Sequence, residues 1–381
     1  MKVASLSVLL VVLACVSVVA QTSTLTVTAV NKLKITRQSE TIEVKAEALA
    51  PLGEKDLMKI QVRDGAGKEV LAQAVDTDYD DFHKADTLIF QADFGPNETR
   101  TFTLSAGARR EYSKEDFRAY GRFVRERFDD FAWENDRIAN RTYGKALITW
   151  KGEPLTSSAI DIWSKRTTKL VINDWYMIDN YHADHGEGVD AYSAGPTRGC
   201  GGSGIWANGQ LYIPTNFVDS RVLANGPIRV MFELVYEPFD VNGVKVSQVL
   251  RVSLDAGSQL NGLHVLYQAA GNDSLALAVE LKKVKEEQKE FNQARGWLTI
   301  WEPVEKNLGM QGLAVVVDPN AVDKLGEDKL NHLVILKPGV ATYWAGFAWD
   351  RAGQITSAES WKAYVDQFAE RLRSPIDIAI K

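Results

Sequence analysis

The stretch IRVMFELVY, residues 228–236, places apolar side chains at Ile228, Val230, Phe232, Leu234 and Tyr236. A period of two puts all five on one face of an extended chain, which predicts a long β-strand with one buried face. Comparable runs between turn residues occur at 246–254, 275–281, 298–301, 313–317 and 333–336. So many strands with few helical patterns predict an all-β fold, a large antiparallel β-sandwich with a few short helices.

The chain before residue 111 repeats this alternation in shorter runs, for example at residues 41–49 and 58–62. We expect residues 21–110 to form N-terminal β-strands, which are either separate from or continuous with a main β-sandwich over residues 111–381. The main sandwich is expected to carry the functional site.

Two segments have helical spacing. Residues 113–128 predict a short helix or an irregular connection, because Ser113 and Asp116 form a capping box ahead of spaced aromatic residues. Residues 356–375 predict one C-terminal helix. There Thr356 and Glu359 form a capping box, an apolar stripe follows, and Pro375 ends the run.

The first twenty residues have the pattern of an export signal. Lys2 precedes an apolar run over residues 3–20, and Val18 and Ala20 have the spacing that a signal peptidase reads. We therefore predict a signal peptide over residues 1–20 and a periplasmic or secreted protein. No membrane anchor is expected unless Cys15 is a lipidation site.

Charge and cysteine content narrow the possible partners. Once Lys2 leaves with the signal, 43 Lys and Arg stand against 50 Asp and Glu, a net charge of −7. This balance argues against nucleic acid, and an acidic ligand would need locally concentrated Arg or a metal ion. Cys200 is then the one remaining thiol, so no intrachain disulfide can form.

Polar residues concentrate between residues 133 and 217, and the first motif there is Trp133-Glu134-Asn135-Asp136-Arg137. In a strand, Asn135 and Arg137 share one face, and Glu134 shares the other with Asp136. A guanidinium beside an amide suits a carboxylate ligand. The alternative is a buried ion network between sheets.

The second motif runs from Tyr181 to Tyr192, and glycines within it favour a loop over a helix. His182 and His185 are candidate bases, and the two tyrosines are candidate acids. Its carboxylates, Asp184, Glu187 and Asp190, would orient the histidines or bind sugar hydroxyls. The same residues could bind a divalent metal, although their spacing matches no standard zinc motif, so no cofactor is assigned. A surface loop held by its own hydrogen bonds is the alternative.

The third motif is residues 196–204, in which small residues follow Arg198 and lead to Trp206. Small residues allow close approach of a ligand or of another segment. Arg198 is either an anion contact or part of a salt bridge in a tight turn. Five of the ten tryptophans lie between residues 133 and 206, and one or two of them, with Trp206 as the candidate, are expected to stack on sugar rings.

These motifs resemble a family of secreted bacterial proteins known as domain of unknown function 4861. The resemblance rests on residues 126–144, 161–163, 181–192, 198–202 and 254–258, and it extends from about Leu25 to the C-terminus. It implies a galactose-mutarotase-like β-supersandwich and an association with the degradation of acidic polysaccharides. A protein of a similar kind is an oligosaccharide dehydratase, which removes water from a non-reducing-end uronic acid.

The resemblance and the motifs together suggest β-elimination on uronic-acid-containing oligosaccharides, by a lyase or a dehydratase. Arg137, Arg198 and Asn135 would bind the carboxylate. His185, or else His182, would be the base, and Tyr192 or Tyr181 the acid. One alternative is a glycoside hydrolase with Glu134 and either Glu187 or Asp190 as its carboxylate pair. The other is a non-catalytic carbohydrate-binding protein on the same fold.

Overall fold

A computed structural model of the chain describes residues 23–77, 84–152, 154–178, 180–269 and 275–381. The predicted signal peptide lies outside these residues. The N-terminal strands are β1 Thr24–Val30, β2 Arg37–Lys45, β3 Ile60–Asp64, β4 Glu69–Val70, β5 Ala72–Val75, β6 Thr87–Phe94 and β7 Thr99–Ala106.

The next strands are β8 Ala119–Val124, β9 Asp130–Asn135, β10 Ala139–Tyr143, β11 Asp161–Lys165, β12 Gly188–Val189, β13 Cys200–Ala207, β14 Gln210–Tyr212, β15 Asp219–Ala224, β16 Arg229–Val241, β17 Val244–Asp255 and β18 Leu260–Ala269. They are followed by β19 Ala276–Lys282, β20 Gln288–Asn292, β21 Trp297–Pro303, β22 Met310–Val316, β23 Val322–Glu327, β24 Asn331–Leu336, β25 Thr342–Trp349 and β26 Asp377–Ile380.

Helices are few and mostly short in the described residues. The α-helices are α1 Ala46–Leu49, α2 Ile172–Tyr176 and α3 Ala358–Arg373. Single 3-10 turns span Ala50–Leu52, Leu57–Lys59, Lys114–Asp116, Arg125–Arg127, Lys145–Ile148, Glu305–Asn307, Pro319–Ala321 and Asp350–Ala352. No helix in the described part of the chain is long and apolar enough to cross a membrane.

The N-terminal strands form a small two-sheet sandwich. One sheet has the order β26-β1-β7-β3-β4 and the other β2-β6-β5. Alternating apolar residues of β1 and β2, such as Val27 and Val44, fill the core between the sheets. The last strand of the chain completes this unit, since Ile380 pairs with Val27 on β1.

The main body is a larger antiparallel sandwich. Its eight-stranded sheet, β15-β16-β17-β18-β25-β22-β21-β20, packs against two five-stranded sheets, β14-β13-β19-β24-β23 and β12-β11-β10-β9-β8. The alternation predicted for residues 228–236 is present, because Val230, Phe232 and Leu234 of β16 lie in the shared core. The predicted all-β antiparallel fold is confirmed.

Helix α3 closes the outer face of the eight-stranded sheet. Its apolar stripe, which includes Trp361 and Val365, packs on Trp297, Trp301 and neighbouring residues of that sheet. Ser357 rather than Thr356 is the N-cap, with Ser360 as its capping-box partner. The predicted C-terminal helix is therefore confirmed, with its start shifted by one residue.

The segment 113–128 differs from the helical prediction. Ser113 and Asp116 do form a capping box, but it holds a single 3-10 turn. Residues 119–124 then form β8, which pairs along β9 from Ala119–Asn135 to Val124–Asp130. Backbone pairing with a central strand outweighs the helical spacing of the aromatic residues.

Candidate functional site

The outer face of the sheet β12-β11-β10-β9-β8 carries charged side chains that its sequence periodicity places in register. On β9, Phe131 and Trp133 point into the main core, so the alternate residue Asp130 lies on the outer face. Arg141 of β10 pairs across the sheet with Asp161 of β11. The neighbouring strands β9, β10 and β11 thus place the carboxyl groups of Asp130 and Asp161 around the guanidinium of Arg141.

Arg141 is the centre of this cluster. Its Nε donates to Asp161 Oδ2 at 2.8 Å, and its Nη2 lies 3.0 Å from Asp190 Oδ2. Its Nη1 lies 3.4 Å from the hydroxyl of Tyr181, and its guanidinium stacks over the Trp163 ring at 5.4 Å. Arg141 and both aspartates are almost fully buried, so their interactions are weakly screened by water.

Two carboxyl groups in the cluster bind protons unusually tightly. Burial raises the pKa of Asp190 to about 8, against the opposing charge of Arg141 and with the help of Asp161. Burial also raises the pKa of Asp130 to about 6, although Arg141 and Arg127 lower it. Shifted acids that are grouped under a surface are typical of functional sites.

Tyrosines complete the buried network. The Tyr143 hydroxyl donates to Asp161 Oδ2 at 2.6 Å, and the Tyr176 hydroxyl donates to Asp130 Oδ2 at 3.0 Å. Burial and these carboxylates raise the pKa of both tyrosines well above its ordinary value. Both hydroxyls therefore remain protonated donors, which fix the orientation of the two carboxyl groups.

His182 and Tyr181 lie at the edge of this cluster. The His182 Nδ1 atom is 3.0 Å from the backbone oxygen of Asp190 and 3.3 Å from its Oδ2. The rings of Tyr181 and His182 are in contact, with centroids 4.6 Å apart. The His182 side chain is 52% exposed. In the tautomer with the proton on Nδ1, the ring donates to the Asp190 backbone oxygen and leaves Nε2 as the basic nitrogen.

An aromatic surface lies on the other side of the cluster. Arg127 Nε is 3.6 Å from Asp130 Oδ2, and its guanidinium lies over the Trp150 ring at 5.4 Å. Phe128 stacks on Trp150 with centroids 5.0 Å apart and is 49% exposed. Phe128 and Asp129 both have positive φ, at 50° and 72°. This costs energy for non-glycine residues and is a form of strain found at functional sites.

The other polar residues of the second motif lie on its surface. Asp184 pairs with Arg166 at 2.9 Å and Glu187 with Lys169 at 2.7 Å. His185 Nε2 is hydrogen-bonded to the Asn180 backbone oxygen at 2.8 Å. These contacts form the outer part of the loop, and the described contacts of these three residues do not reach the buried cluster.

Glu134 and Asn135, from the first motif, are buried and engaged in the framework. Glu134 accepts from Lys165 Nζ at 2.6 Å and from two backbone N–H groups at the start of α2. Asn135 donates to the backbone oxygens of Asp255 and Ser258 and accepts two backbone N–H groups. Both belong to the buried network that was the alternative interpretation. Arg137 lies in the β9–β10 turn, beyond the end of the strand that carries Arg141.

The third motif is likewise structural. Arg198 is buried, donates to Ser158 Oγ at 2.7 Å and to the Ser203 backbone oxygen at 2.8 Å, and lies 3.6 Å from Glu280.

Trp206 and Tyr192 are the remaining candidate residues from the sequence. Trp206 belongs to the other five-stranded sheet, β14-β13-β19-β24-β23, and packs on residues of that sheet. Tyr192 lies in the main core, where burial raises its pKa well above the ordinary value. No cluster of three His, Cys, Asp or Glu suited to a metal occurs among the residues that the structure describes.

The sequence motifs gave no indication of a role for most residues of this cluster, namely Arg127, Phe128, Asp130, Arg141, Tyr143, Trp150, Asp161 and Tyr176. The only signal in the sequence was the period of two in each strand. It places Asp130, Arg141 and Asp161 on the face opposite to the apolar residues that fill the main core. It becomes informative only with the register of the three strands.

Comparisons with known proteins agree with this architecture. Residues 30–378 match the family described as domain of unknown function (DUF4861). The chain belongs to this family. A relative, "Uncharacterized protein P7" of Formosa agariphila, is 33% identical over 377 aligned positions, and the match covers 93% of each chain.

Solved structures show a shared fold. An α-mannosidase from Enterococcus faecalis V583 matches with a TM-score of 0.51 and 11% identity, over 94% of this chain and 46% of that one. A glycosyl hydrolase family 38 protein from Enterococcus faecalis matches with a TM-score of 0.53 and 12% identity, over 94% of this chain and 47% of that one. This DUF4861 chain thus spans about half the length of either solved chain, and its fold resembles part of a glycoside hydrolase.

Proposed function

We propose that this protein is a carbohydrate-active enzyme that acts on uronic-acid-containing oligosaccharides by β-elimination. The observation that carries the proposal is the position of His182. Its Nδ1 faces Asp190, its side chain is half exposed, and its ring contacts Tyr181 above the buried guanidinium of Arg141. A base held by a carboxyl group beside a hydroxyl acid is an arrangement suited to proton transfer at adjacent carbons.

The reaction requires three groups, and the cluster offers one for each. His182 Nε2 takes the C5 proton, and the electron pair left behind forms the C4–C5 double bond. The C4–O4 bond breaks, and Tyr181 donates its proton to the departing oxygen. If that oxygen belongs to water the enzyme is a dehydratase, and if it belongs to a sugar the enzyme is a lyase.

Arg127 is the proposed contact for the uronate carboxylate. It lies at the partly exposed end of the cluster, and its charge lowers the pKa of both Asp130 and Asp190. A cation at the uronate carboxylate makes the C5 proton more acidic and stabilises the enolate-like intermediate, usually the largest contribution to such catalysis. Arg137 and Arg198 receive no such role, because the first lies in a distant turn and the second is buried against Glu280.

The proposed platform for a sugar ring is the stacked pair of Phe128, which is exposed, and Trp150, which is partly buried. Flat aromatic faces stack on pyranose rings, and this pair is joined to the cluster through Arg127. The predicted hydrolase pair receives less support, because Glu134 is sequestered by Lys165 and by the backbone of α2. Export of the protein, so that it acts on an acidic oligosaccharide in the periplasm or outside the cell, is part of the same proposal.

The test uses the mature chain with oligouronides cut from ulvan and from pectin. Ultraviolet absorbance of the unsaturated uronate and product mass are followed together. Loss of one water identifies a dehydratase, and chain scission with absorbance identifies a lyase. A new reducing end without absorbance would instead identify a hydrolase and overturn the elimination.

Two histidines three residues apart provide a matched pair of variants. His182→Ala should lower the rate at least 100-fold, since it removes the base. His185→Ala should leave the rate within about twofold, because the His185 ring contacts the Asn180 backbone oxygen. Equal effects of the two substitutions would contradict the assignment of His182.

A further inference from the structure

A large cleft of the described structure lies away from the His182 cluster. It has a volume of about 720 Å³ and is bounded by β2, the loop Asp255–Ser258, the outer face of the eight-stranded sheet and helix α3. This volume falls in the range of small-ligand sites, and a junction between packed units is a usual place for one.

The floor of the cleft contains a glycine, Gly262, and therefore lacks a side chain at one position of the sheet. Gly262 of β18 pairs with Ser253 of β17 on one side and with Trp344 of β25 on the other. A side chain at Gly262 would contact both neighbours, with the Trp344 Nε1 atom 3.4 Å from its Cβ. Glycine thus leaves the indole edge open, and the indole N–H makes no hydrogen bond within the described residues.

Helix α3 supplies an aromatic wall beside this floor. Phe368 lies 6.5 Å from Trp344 at an angle of 63°, and Tyr364 stacks along Phe368 at 6.3 Å. Arg371 lies over the Phe368 ring at 5.3 Å. The cleft therefore combines aromatic faces with polar groups at its edges, which is the chemistry that recognises sugar rings.

The charges that line the cleft balance. Arg37 and Arg371 both pair with Glu40, at 2.7 and 2.9 Å. Arg229 pairs with Glu43 at 2.7 Å and with Asp255 at 2.8 Å. Three arginines thus meet three carboxylates, and a carboxylate ligand would have to displace one of these pairs. Carboxylates held in this way keep lone pairs that can accept from hydroxyl groups.

We propose that this cleft binds an uncharged sugar unit of an oligosaccharide, at a site separate from the His182 cluster. The sugar's apolar face lies against Trp344 and Phe368, the indole N–H donates to a hydroxyl, and the paired carboxylates accept from others. Asn135 and Asp136 brace this site from below. Asn135 holds the backbone oxygens of Asp255 and Ser258, and Asp136 accepts the N–H of Gly257.

The test measures binding by calorimetry to pairs of disaccharides that differ only in charge. The neutral probes are galactobiose, cellobiose and mannobiose, and the charged counterparts are digalacturonate, diglucuronate and dimannuronate. The protein carries His182→Ala, so that binding is read without turnover. At least one neutral probe should bind, and its charged counterpart should bind this cleft at least tenfold more weakly.

Gly262→Leu is the deciding variant, because it fills the floor from a strand position without a left-handed backbone. It should weaken binding of the neutral probe at least tenfold while the protein stays folded, with a small drop in melting temperature because the new Cβ lies 2.9 Å from Ser253 Oγ and that side chain has to move. Trp344→Phe, which removes the indole N–H, should weaken binding of the neutral probe less than Gly262→Leu does. Trp206→Phe is the control that should have no effect, because Trp206 lies in the sheet β14-β13-β19-β24-β23 and not in the cleft. Absence of binding by all three neutral probes, or unchanged affinity in Gly262→Leu, would overturn the proposal. Elimination on oligouronides is measured separately, so its failure would not affect this result.

Discussion

The Nδ1 atom of His182 lies 3.3 Å from Oδ2 of Asp190, and the two side chains differ sharply in environment. His182 is half exposed, whereas Asp190 is almost fully buried. The buried carboxyl also faces Arg141 at 3.0 Å. The histidine ring is thus held at the surface by a group whose protonation depends on the charges beneath it.

Asp190→Asn should lower the rate of elimination by about 100-fold with little change in KM above pH 8, where Asp190 is ionised, and should have a much smaller effect at pH 6. The amide keeps the shape of the carboxyl group but removes the carboxylate charge that orients His182 and stabilises its protonated form once Asp190 has lost its proton. The pH profile of kcat should shift as well, which a purely structural role would not produce. The measurement is the pH dependence of kcat and KM, and a change confined to KM would contradict the assignment.

The raised pKa of Asp190 also predicts how the free energy of unfolding depends on pH. The folded pKa of Asp190, about 8, lies above that of an unfolded aspartate. Between about pH 4 and pH 8 the folded state therefore holds a proton that the unfolded state has lost, and its contribution to stability decreases as pH rises. Wild-type protein should lose about 1 kcal/mol or more relative to Asp190→Asn between pH 5 and pH 8.

Urea unfolding of both proteins at pH 5, 6, 7 and 8 checks this difference. The comparison with Asp190→Asn isolates this one carboxyl group from other buried acids such as Glu280, whose pKa burial also raises to about 8. Parallel stability curves for the two proteins would mean that Asp190 is ionised throughout this range.

Glu134→Gln should lower the free energy of unfolding by about 3 to 5 kcal/mol, because it leaves Lys165 charged and buried without its partner. The exposed pair Lys145 and Glu237 is the matched control, and Glu237→Gln should cost less than about 1 kcal/mol. Chemical denaturation measures both. A variant of Glu134 that remains as stable as the control would show that this ion pair does not support the sheet.

Substitutions at Phe128 separate the energetic cost of its positive φ from the role of its ring in sugar binding. Phe128→Gly should be about 0.5 to 1 kcal/mol more stable than Phe128→Ala, because glycine adopts a positive φ without the cost that alanine bears. Both variants should raise KM with little change in kcat, since both remove the ring that stacks on Trp150. Thermal unfolding and initial rates are the measurements. An unchanged KM in both variants would remove Phe128 from the sugar platform.

Local patterns were enough to predict the class of fold. The alternation at residues 228–236 predicts β16 correctly, and the capping box and apolar stripe predict α3, because burial of one face requires these periods. The helix predicted from the spacing in residues 113–128 was wrong, because residues 119–124 form β8. The backbone partners of β8 come from β9, which lies later in the chain and which the local spacing does not report.

The chemistry of the candidate site depended on tertiary structure. Arg198, Asn135 and Glu134 have the residue types of a binding site, yet their contacts show them buried in the framework. Asp130, Arg141, Asp161 and Asp190 come from separate segments, and only strand register and loop closure bring their side chains together. Sequence periodicity reports which face a side chain occupies. Its neighbours across the sheet, and so its solvation and pKa, are decided by long-range pairing that no local pattern encodes.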